Sequence, residues 1–240
     1  MIILDDIKLI DLSIFLEKTK TLIISDIHIG YEESLNKQGF LIPRHQFKLT
    51  YDKLNKLLKK TKPKRIIING DLKHEFGIIS QTEWVHTLKI IDLLLSFSSN
   101  LCLIKGNHDN ILDPITKKRN IEIKDYIILD NLLIIHGNKL PENNLLKGIT
   151  TIIIGHEHPA ISIENYPRTE KFKCFILGKY KSKNLLVLPS FNLITTGTNI
   201  LKEKLLSPFL NQDMNNFNVY IIGNEIFDFG KIKDLKNITK

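Results

Sequence analysis

The sequence predicts an α/β protein, a layered sandwich of mixed β-sheets flanked by helices. Three observations carry this expectation. In the first half, short apolar runs alternate with two amphipathic helical segments in the order β-α-β-α-β. After residue 120 the pattern changes to short strands joined by turns. The length, 240 residues, is enough for a full hydrophobic core without disulfide staples. With no internal repeat, no low-complexity tract and no Gly/Ser/Pro linker, residues 1–240 are expected to form one domain.

Residues 22–25 form the first clear strand. Residues 43–60 read as a helix with Pro43 at its start. Leu54, Leu57 and Leu58 make its apolar face, and Lys53, Lys56, Lys59 and Lys60 lie opposite as a solvated exterior. A strand follows over 66–69, then a helix over 81–97 with apolar spacing at Trp84, Leu88, Ile91 and Leu95. A strand over 101–105 completes a parallel arrangement with helices on its faces. The second half reads as strands over 126–129, 132–136, 151–154, 173–177 and 185–188. The last two are separated by a basic hairpin-like tip at 178–184, and 219–222 with 226–229 form a final hairpin across Gly223-Asn224. Residues 198–216 carry no clear pattern.

Composition narrows the class. Hydrophobic residues make up 42% and charged residues 25%, which excludes a disordered chain. The apolar runs fall far short of the ~20 residues that a membrane span needs, so no membrane partner is expected. The N-terminus meets acid at Asp5 and Asp6, so a secretory signal is not expected. Cys102 and Cys174 are the only cysteines, each in an apolar stretch. They exclude a zinc ribbon or disulfide framework and fit a reducing, cytoplasmic compartment. The net charge of +8 attracts polyanions, but 30 of the 34 cations are Lys and only 4 are Arg, the better fork for phosphate.

Five apolar strands end in clusters of metal-capable side chains. They lead to Asp26-Ile27-His28, Asn69-Gly70-Asp71, Gly106-Asn107-His108-Asp109, His136-Gly137 and Gly155-His156-Glu157-His158. In α/β sheets, sites form outside the carboxyl ends of strands. Six of the eight histidines (28, 74, 108, 136, 156 and 158) lie in or next to these clusters. Asp and His suit Mn, Fe or Zn, and Asn offers a neutral amide oxygen. Alternate residues of an extended segment share a side, so Asp26 and His28 can point together, as can His156 and His158. A carboxylate such as Asp71 can bridge two ions. Two divalent ions facing the carboxylates of Asp26 and Asp71 retain a charge that matches hydroxide plus a phosphodiester, or a phosphate monoester. The charge balance favours attack on a phosphoester by metal-bound hydroxide over peptide hydrolysis, with an amide substrate left as the alternative.

In this order and spacing the five elements resemble the signature of the calcineurin-like metallophosphoesterase superfamily. The string from Gly70 to Gly77 (Gly-Asp-Leu-Lys-His-Glu-Phe-Gly), with residues 39–44 and 189–197, is similar to a narrower branch, the ICC-like phosphoesterases of archaea and their bacterial DNA-ligase-associated relatives. The resemblance implies a metallophosphoesterase-like fold and two divalent ions, with Mn expected and Fe, Zn or Ni as alternatives. It implies that Asp26, His28 and His158 hold the first ion, that Asp71 bridges, and that Asn107, His136 and His156 hold the second. His108 then stays off the metals and assists the leaving group, with Asp109 orienting it. Many members have Asp where His74 stands, which makes His74 a hydrogen-bonding support rather than a ligand. Lys73 and Glu75 belong to the branch-like string and are candidates for substrate contact. Arg44 and His45, at a predicted helix start, are candidates for lining the cleft.

The expected activity is a binuclear phosphodiesterase acting on a phosphoester such as a nucleotide. A nuclease acting on DNA or RNA is the alternative. A non-catalytic scaffold or nucleic-acid-binding protein is the alternative of another class.

Overall fold

Runs of isoleucine and leucine become buried strands throughout the computed structural model, which describes residues 1–4, 6–43, 45–77, 79–165 and 167–235. The chain divides into two units, Met1–Asp125 with Phe191–Thr195, and Tyr126–Ser190 with Thr196–Lys240. Each has its own mixed sheet with helices, the α/β class that the sequence predicts. Among the described residues no helix is long and apolar enough to cross a membrane.

The first unit contains β1 (Ile2–Leu4), β2 (Ile7–Ile10), β3 (Ser13–Leu16), β4 (Thr21–Ile24), α1 (Tyr31–Lys37), α2 (Gln46–Thr61), β5 (Arg65–Asn69), α3 (Gln81–Phe97), β6 (Leu101–Ile104), α4 (Asp113–Lys117) and β7 (Glu122–Lys124). The seven strands lie in sequence order. β1 to β4 pair antiparallel, and β4 to β7 pair parallel. The parallel register sets Ile24 against Ile68 and Asn69 against Ile104, so the loops after β4, β5 and β6 leave the same end of the sheet. On α2, Leu54, Leu57 and Leu58 are buried, while Lys56, Lys59 and Lys60 are exposed. The lysine run is a solvated face, and Lys53 makes a 2.7 Å ion pair with Asp11. α2 begins at Gln46 rather than at residue 43. The Asn36 side chain holds both polar groups of the Ile42 backbone, and the Glu32 carboxylate takes the Gln46 N–H. Helical geometry is therefore delayed past Pro43.

The second unit contains β8 (Tyr126–Leu129), β9 (Leu132–Ile135), β10 (Thr151–Ile154), β11 (Pro159–Asn165), β12 (Arg168–Tyr180), β13 (Lys183–Val187), β14 (Thr198–Asn199), β15 (Asn218–Ile222), β16 (Ile226–Lys231) and α5 (Ile232–Leu235). The order runs β14-β11-β12-β13-β10-β9-β8, with β15 and β16 continuing from β12. β9, β10 and β13 are parallel, which brings the ends of β9 and β10 together. Leu133, Ile152, Ile154, Ile176, Val187, Phe209 and Val219 belong to one buried cluster. β12 is thirteen residues long, far beyond the predicted 173–177. Its first half pairs with β11 and its second with β13 and β15, so Gly178 is a strand residue and not part of the tip.

Candidate metal centre

In the first unit the loops after β4 and β5 continue side by side beyond the strands. The N–H groups of Asp26, His28 and Ile29 donate to the carbonyls of Gly70, Asp71 and Leu72 at 3.1, 2.9 and 2.9 Å. Asp26, His28 and Asp71 adopt left-handed backbone, with φ of 56°, 48° and 48°. Such conformations cost on the order of 1–3 kcal/mol each for residues other than glycine and cluster at functional sites. Asn192 holds this backbone from far along the chain. Its N–H donates to Asp26 O, and its Nδ2 donates to Ile27 O at 3.1 Å.

The side chains collect at the same place. Asp26, Asp71 and His28 are buried. Ser25 Oγ lies 2.5 Å from Asp26 Oδ2. Asp71 Oδ1 accepts from the His108 N–H at 2.9 Å, and Oδ2 faces His28 Nε2 at 3.6 Å and His108 Nε2 at 4.0 Å. Donor atoms of His28, His74 and His108 lie within 4.8 Å of one another. Asn107 is half-buried in the turn after β6. Two carboxylates withdrawn from water beside neutral-capable imidazoles form a donor set suited to a divalent cation, and the residues present fit such an ion.

His108 is held from behind. Its Nδ1 lies 2.5 Å from the carbonyl oxygen of His74. A carbonyl can only accept, so Nδ1 carries the proton and Nε2 faces the Asp71 side. The exposed ring of Phe76 covers the imidazole, with centroids 3.7 Å apart. Asp109 is buried, and its Oδ1 accepts from the N–H of Leu72 at 3.1 Å and its Oδ2 from that of Gly106 at 3.0 Å. This carboxylate ties the loops after β5 and β6 together, and His108 rides on that tie.

The candidates for substrate contact occupy different places. Lys73 is fully buried, and its Nζ donates to the backbone carbonyls of His108, at 2.6 Å, and Glu75. Burial pushes its pKa down, opposed by the carboxylates of Glu83, Asp109, Glu75 and Asp71. That position supports the loop rather than presenting charge to a substrate. His74 Nδ1 lies 3.3 Å from His28 Nδ1. Burial, and then the neighbouring His108, push His74 down to about 4. A neutral His74 can fix the far nitrogen of His28, the role of a support behind a ligand. His45 is exposed before α2, and Arg44 lies outside the described residues.

The second unit holds the remaining histidines. His136 follows β9 and is buried. His156 and His158 follow β10 with φ of 64° and 51°, again left-handed. The His136 and His156 rings lie 5.0 Å apart. Gly155 N–H donates to the His136 carbonyl at 2.9 Å. Between the two histidines, buried Glu157 turns away, and its Oε2 accepts from the N–H groups of Leu206 and Ser207 at 2.7 and 2.8 Å. Burial holds its carboxyl above the ordinary range. Thr198 N–H donates to the His158 carbonyl at 2.9 Å. Gly197, with φ of 99°, allows this approach, because a Cβ there would stand 2.0 Å from the His158 oxygen.

Residues that sequence reasoning missed are Glu83, Asn192 and Glu157 as supports. Each acts through backbone N–H or carbonyl groups at a distance along the chain. The Ser80-x-x-Glu83 pattern at the start of α3 carries a signal for Glu83, and Asn192 lies in the branch-like stretch 189–197.

Parallel strands that deliver carboxylates and imidazoles from their ends define a metal-binding α/β protein. Residues 19–175 match the family of calcineurin-like phosphoesterases, and the chain belongs to that family. It is by family a metal-dependent phosphoesterase. Among solved structures, the nuclease MPE of Pseudomonas putida is similar at 20% identity over 91% of this chain and 92% of that one, with a TM-score of 0.65. The phosphoesterase Yfce of E. coli is 15% identical over 85% of this chain and 88% of that one, with a TM-score of 0.41. Vacuolar protein sorting 29 of Cryptosporidium parvum is 15% identical over 88% and 97%, with a TM-score of 0.39. Comparison with curated proteins gives no match.

Proposed function

We propose that the chain is a binuclear phosphodiesterase. Asp26, His28 and His158 hold one divalent ion, Asn107, His136 and His156 hold a second, and Asp71 bridges them, with Mn the expected metal. The carrying observation is buried Asp71, whose Oδ1 is fixed by the His108 N–H while Oδ2 faces the imidazoles of His28 and His108. When bound, the ions supply positive charge for the phosphoryl oxygens and lower the pKa of a water toward ~7. The chain's own residues do the rest. His108 keeps one proton on Nδ1 against the His74 carbonyl and donates another from Nε2 to the leaving oxygen. Asp109 holds the loop that carries His108, and Phe76 shields one face of the ring.

The string from Gly70 to Gly77 supports placement in the ICC-like branch. The buried free thiols of Cys102 and Cys174 support a cytoplasmic location.

A nuclease is the second reading. The net charge of +8 and the likeness in fold to a nuclease favour a polyanionic substrate.

The test is a substrate panel under Mn with parallel metal analysis: bis-nitrophenyl phosphate, nitrophenyl phosphate, cyclic nucleotides, and single- and double-stranded DNA. Faster turnover of the diester than of the monoester is expected. The reverse order overturns the diesterase reading, and cleavage of DNA alone selects the nuclease. Two bound ions with no turnover on any member would leave a non-catalytic scaffold.

A further inference from the structure

We infer that Glu83 is a positioning residue for the reaction: its buried carboxylate holds the His74–Glu75 backbone so that the His74 carbonyl keeps His108 in one tautomer. The inference rests on the proposed role of His108 as the acid for the leaving group.

Glu83 lies in the first turn of α3 and is completely buried. Ser80 caps that helix, its Oγ accepting from the Glu83 N–H at 3.0 Å. A glutamate three residues after a serine cap ordinarily turns back to the cap's own N–H. Here Oε1 instead accepts from the N–H groups of His74 and Glu75, at 2.8 and 3.0 Å. Both bonds are charge-assisted and sheltered from water, and bonds of that type are about twice as strong as neutral ones. They fix the two peptide planes that flank His74 Cα. The second of these planes carries the His74 carbonyl, 2.5 Å from His108 Nδ1.

Two neighbours make room for this use of the carboxylate. Gly30, with φ of 94°, lies so close that a Cβ there would stand 3.0 Å from Glu83 Cγ, Cδ and Oε1. Among the described residues Glu83 Oε2 has no hydrogen-bond donor. Burial raises the Glu83 pKa, while the two N–H groups and Lys73 pull it back, in that order. A glutamate that served only as a cap would not need burial, a glycine against it and a buried lysine nearby. The arrangement leads from α3 through one backbone carbonyl to the ring nitrogen that must not lose its proton. Without that acceptor, His108 could place its proton on either nitrogen. In the Nε2-protonated neutral form, Nδ1 would no longer be anchored and the ring could turn away from the leaving oxygen.

The test compares Glu83→Ala, Glu83→Gln and Glu83→Asp in the full chain. With Mn, Glu83→Ala is expected to lower kcat about 10–100-fold on a diester with a nucleoside leaving group. The loss should be smaller on bis-nitrophenyl phosphate, whose leaving group needs no proton. Glu83→Gln keeps an oxygen acceptor at the same reach and is expected to restore most of the loss. Independently of turnover, ¹⁵N imidazole spectra of the metal-free protein should show His108 protonated at Nδ1 in the wild type and Glu83→Gln, and a mixture in Glu83→Ala. Should Glu83→Ala fail to fold, Glu83→Asp withdraws the carboxylate by one methylene and is read in the same two ways. Equal losses on both substrates, an unchanged tautomer, or no rescue by glutamine overturns the positioning role. A wild type that hydrolyses neither diester overturns the phosphodiesterase reading instead, while the spectra still decide on Glu83.

Discussion

Asn192 Nδ2 donates to the Ile27 carbonyl at 3.1 Å, although 165 positions separate the two residues. The same amide lies 3.4 Å from the His28 carbonyl, and its Oδ1 accepts from the N–H groups of Ile194 and Thr195. One buried side chain thus holds the left-handed segment that presents Asp26 and His28. Replacing Asn192 with Ala should leave the Ile27 carbonyl without this partner in a dry place, at a cost of about 1–3 kcal/mol. Metal affinity should fall about 10–100-fold, as it does when groups behind ligands are removed. Urea unfolding and metal titration check the two effects, and a stability loss with unchanged affinity would separate Asn192 from the site.

Asp71→Asn should remove metal and turnover together. The amide oxygen can still accept from the His108 N–H, so the loop stays in place. The loss of negative charge weakens both proposed ions at once. Elemental analysis should find two ions in the purified wild type and little metal in the variant. Retention of both would contradict a bridging Asp71.

Gly106 shows how tightly the loops after β5 and β6 meet. A Cβ at this position would stand 2.1 Å from Asp71 Oδ1 and 2.4 Å from Asp71 N. Relief requires moving backbone, not the end of a flexible chain. Gly106→Ala should therefore cost about 1–3 kcal/mol and abolish turnover by displacing Asp71. Thermal unfolding with and without Mn checks it: Mn is expected to raise the Tm of the wild type and to leave that of the variant unchanged.

The pattern of apolar runs made much of this architecture legible. α3 occupies the predicted span, because Ser80 caps it and a helical apolar stripe follows. Strands β1 to β3 were not read from the sequence: they precede the first cluster of metal-capable residues, and Lys8 interrupts β2 while Ser13 opens β3. α1 is seven residues long and buries Ser34 alone, so it carries no apolar stripe to read. The exposed start of β12, Arg168–Glu170, reads as a loop because its strand character comes from pairing with β11. At the site, the candidate ligands were legible because motif residues sit directly after apolar strands. Five of them adopt left-handed backbone that no propensity would assign to Asp or His. Glu83 and Asn192 were not legible as supports, because their partners are backbone groups that only the fold brings near.

Acid should weaken the protein through His74. Its ordinary value of 6.5 is pushed down to about 4 in the fold, mainly by burial. Between those values the unfolded chain binds a proton that the folded chain refuses. The contribution is therefore complete above pH 6.5 and is lost as the pH falls toward 4. Glu83 works in the opposite sense, because burial holds its carboxyl above 4.5 and the folded chain keeps that proton longer. His74→Gln removes the first effect and leaves the second. In urea unfolding of the metal-free protein, the stability of the wild type relative to His74→Gln should shrink from pH 7 to pH 4. A difference that stays constant would contradict the depressed value.

Lys73 and Glu83 should prove to be coupled. Lys73 is fully buried, and the Glu83 carboxylate is the charge that most favours its protonated form. Lys73→Met keeps most of the stem's volume but strips the ammonium from the carbonyls of His108 and Glu75. It also removes a cation whose field favours the buried Glu83 carboxylate. In a Glu83→Gln background no charge is orphaned, and only the two carbonyls lose their donor. The cost of Lys73→Met should therefore be smaller there, with a coupling of about 0.5–3 kcal/mol between the two positions. Urea unfolding of the wild type, both single variants and the double variant measures it directly. Additive losses would mean that the lysine serves the carbonyls alone, and that the two N–H groups of His74 and Glu75 suffice to hold the Glu83 charge.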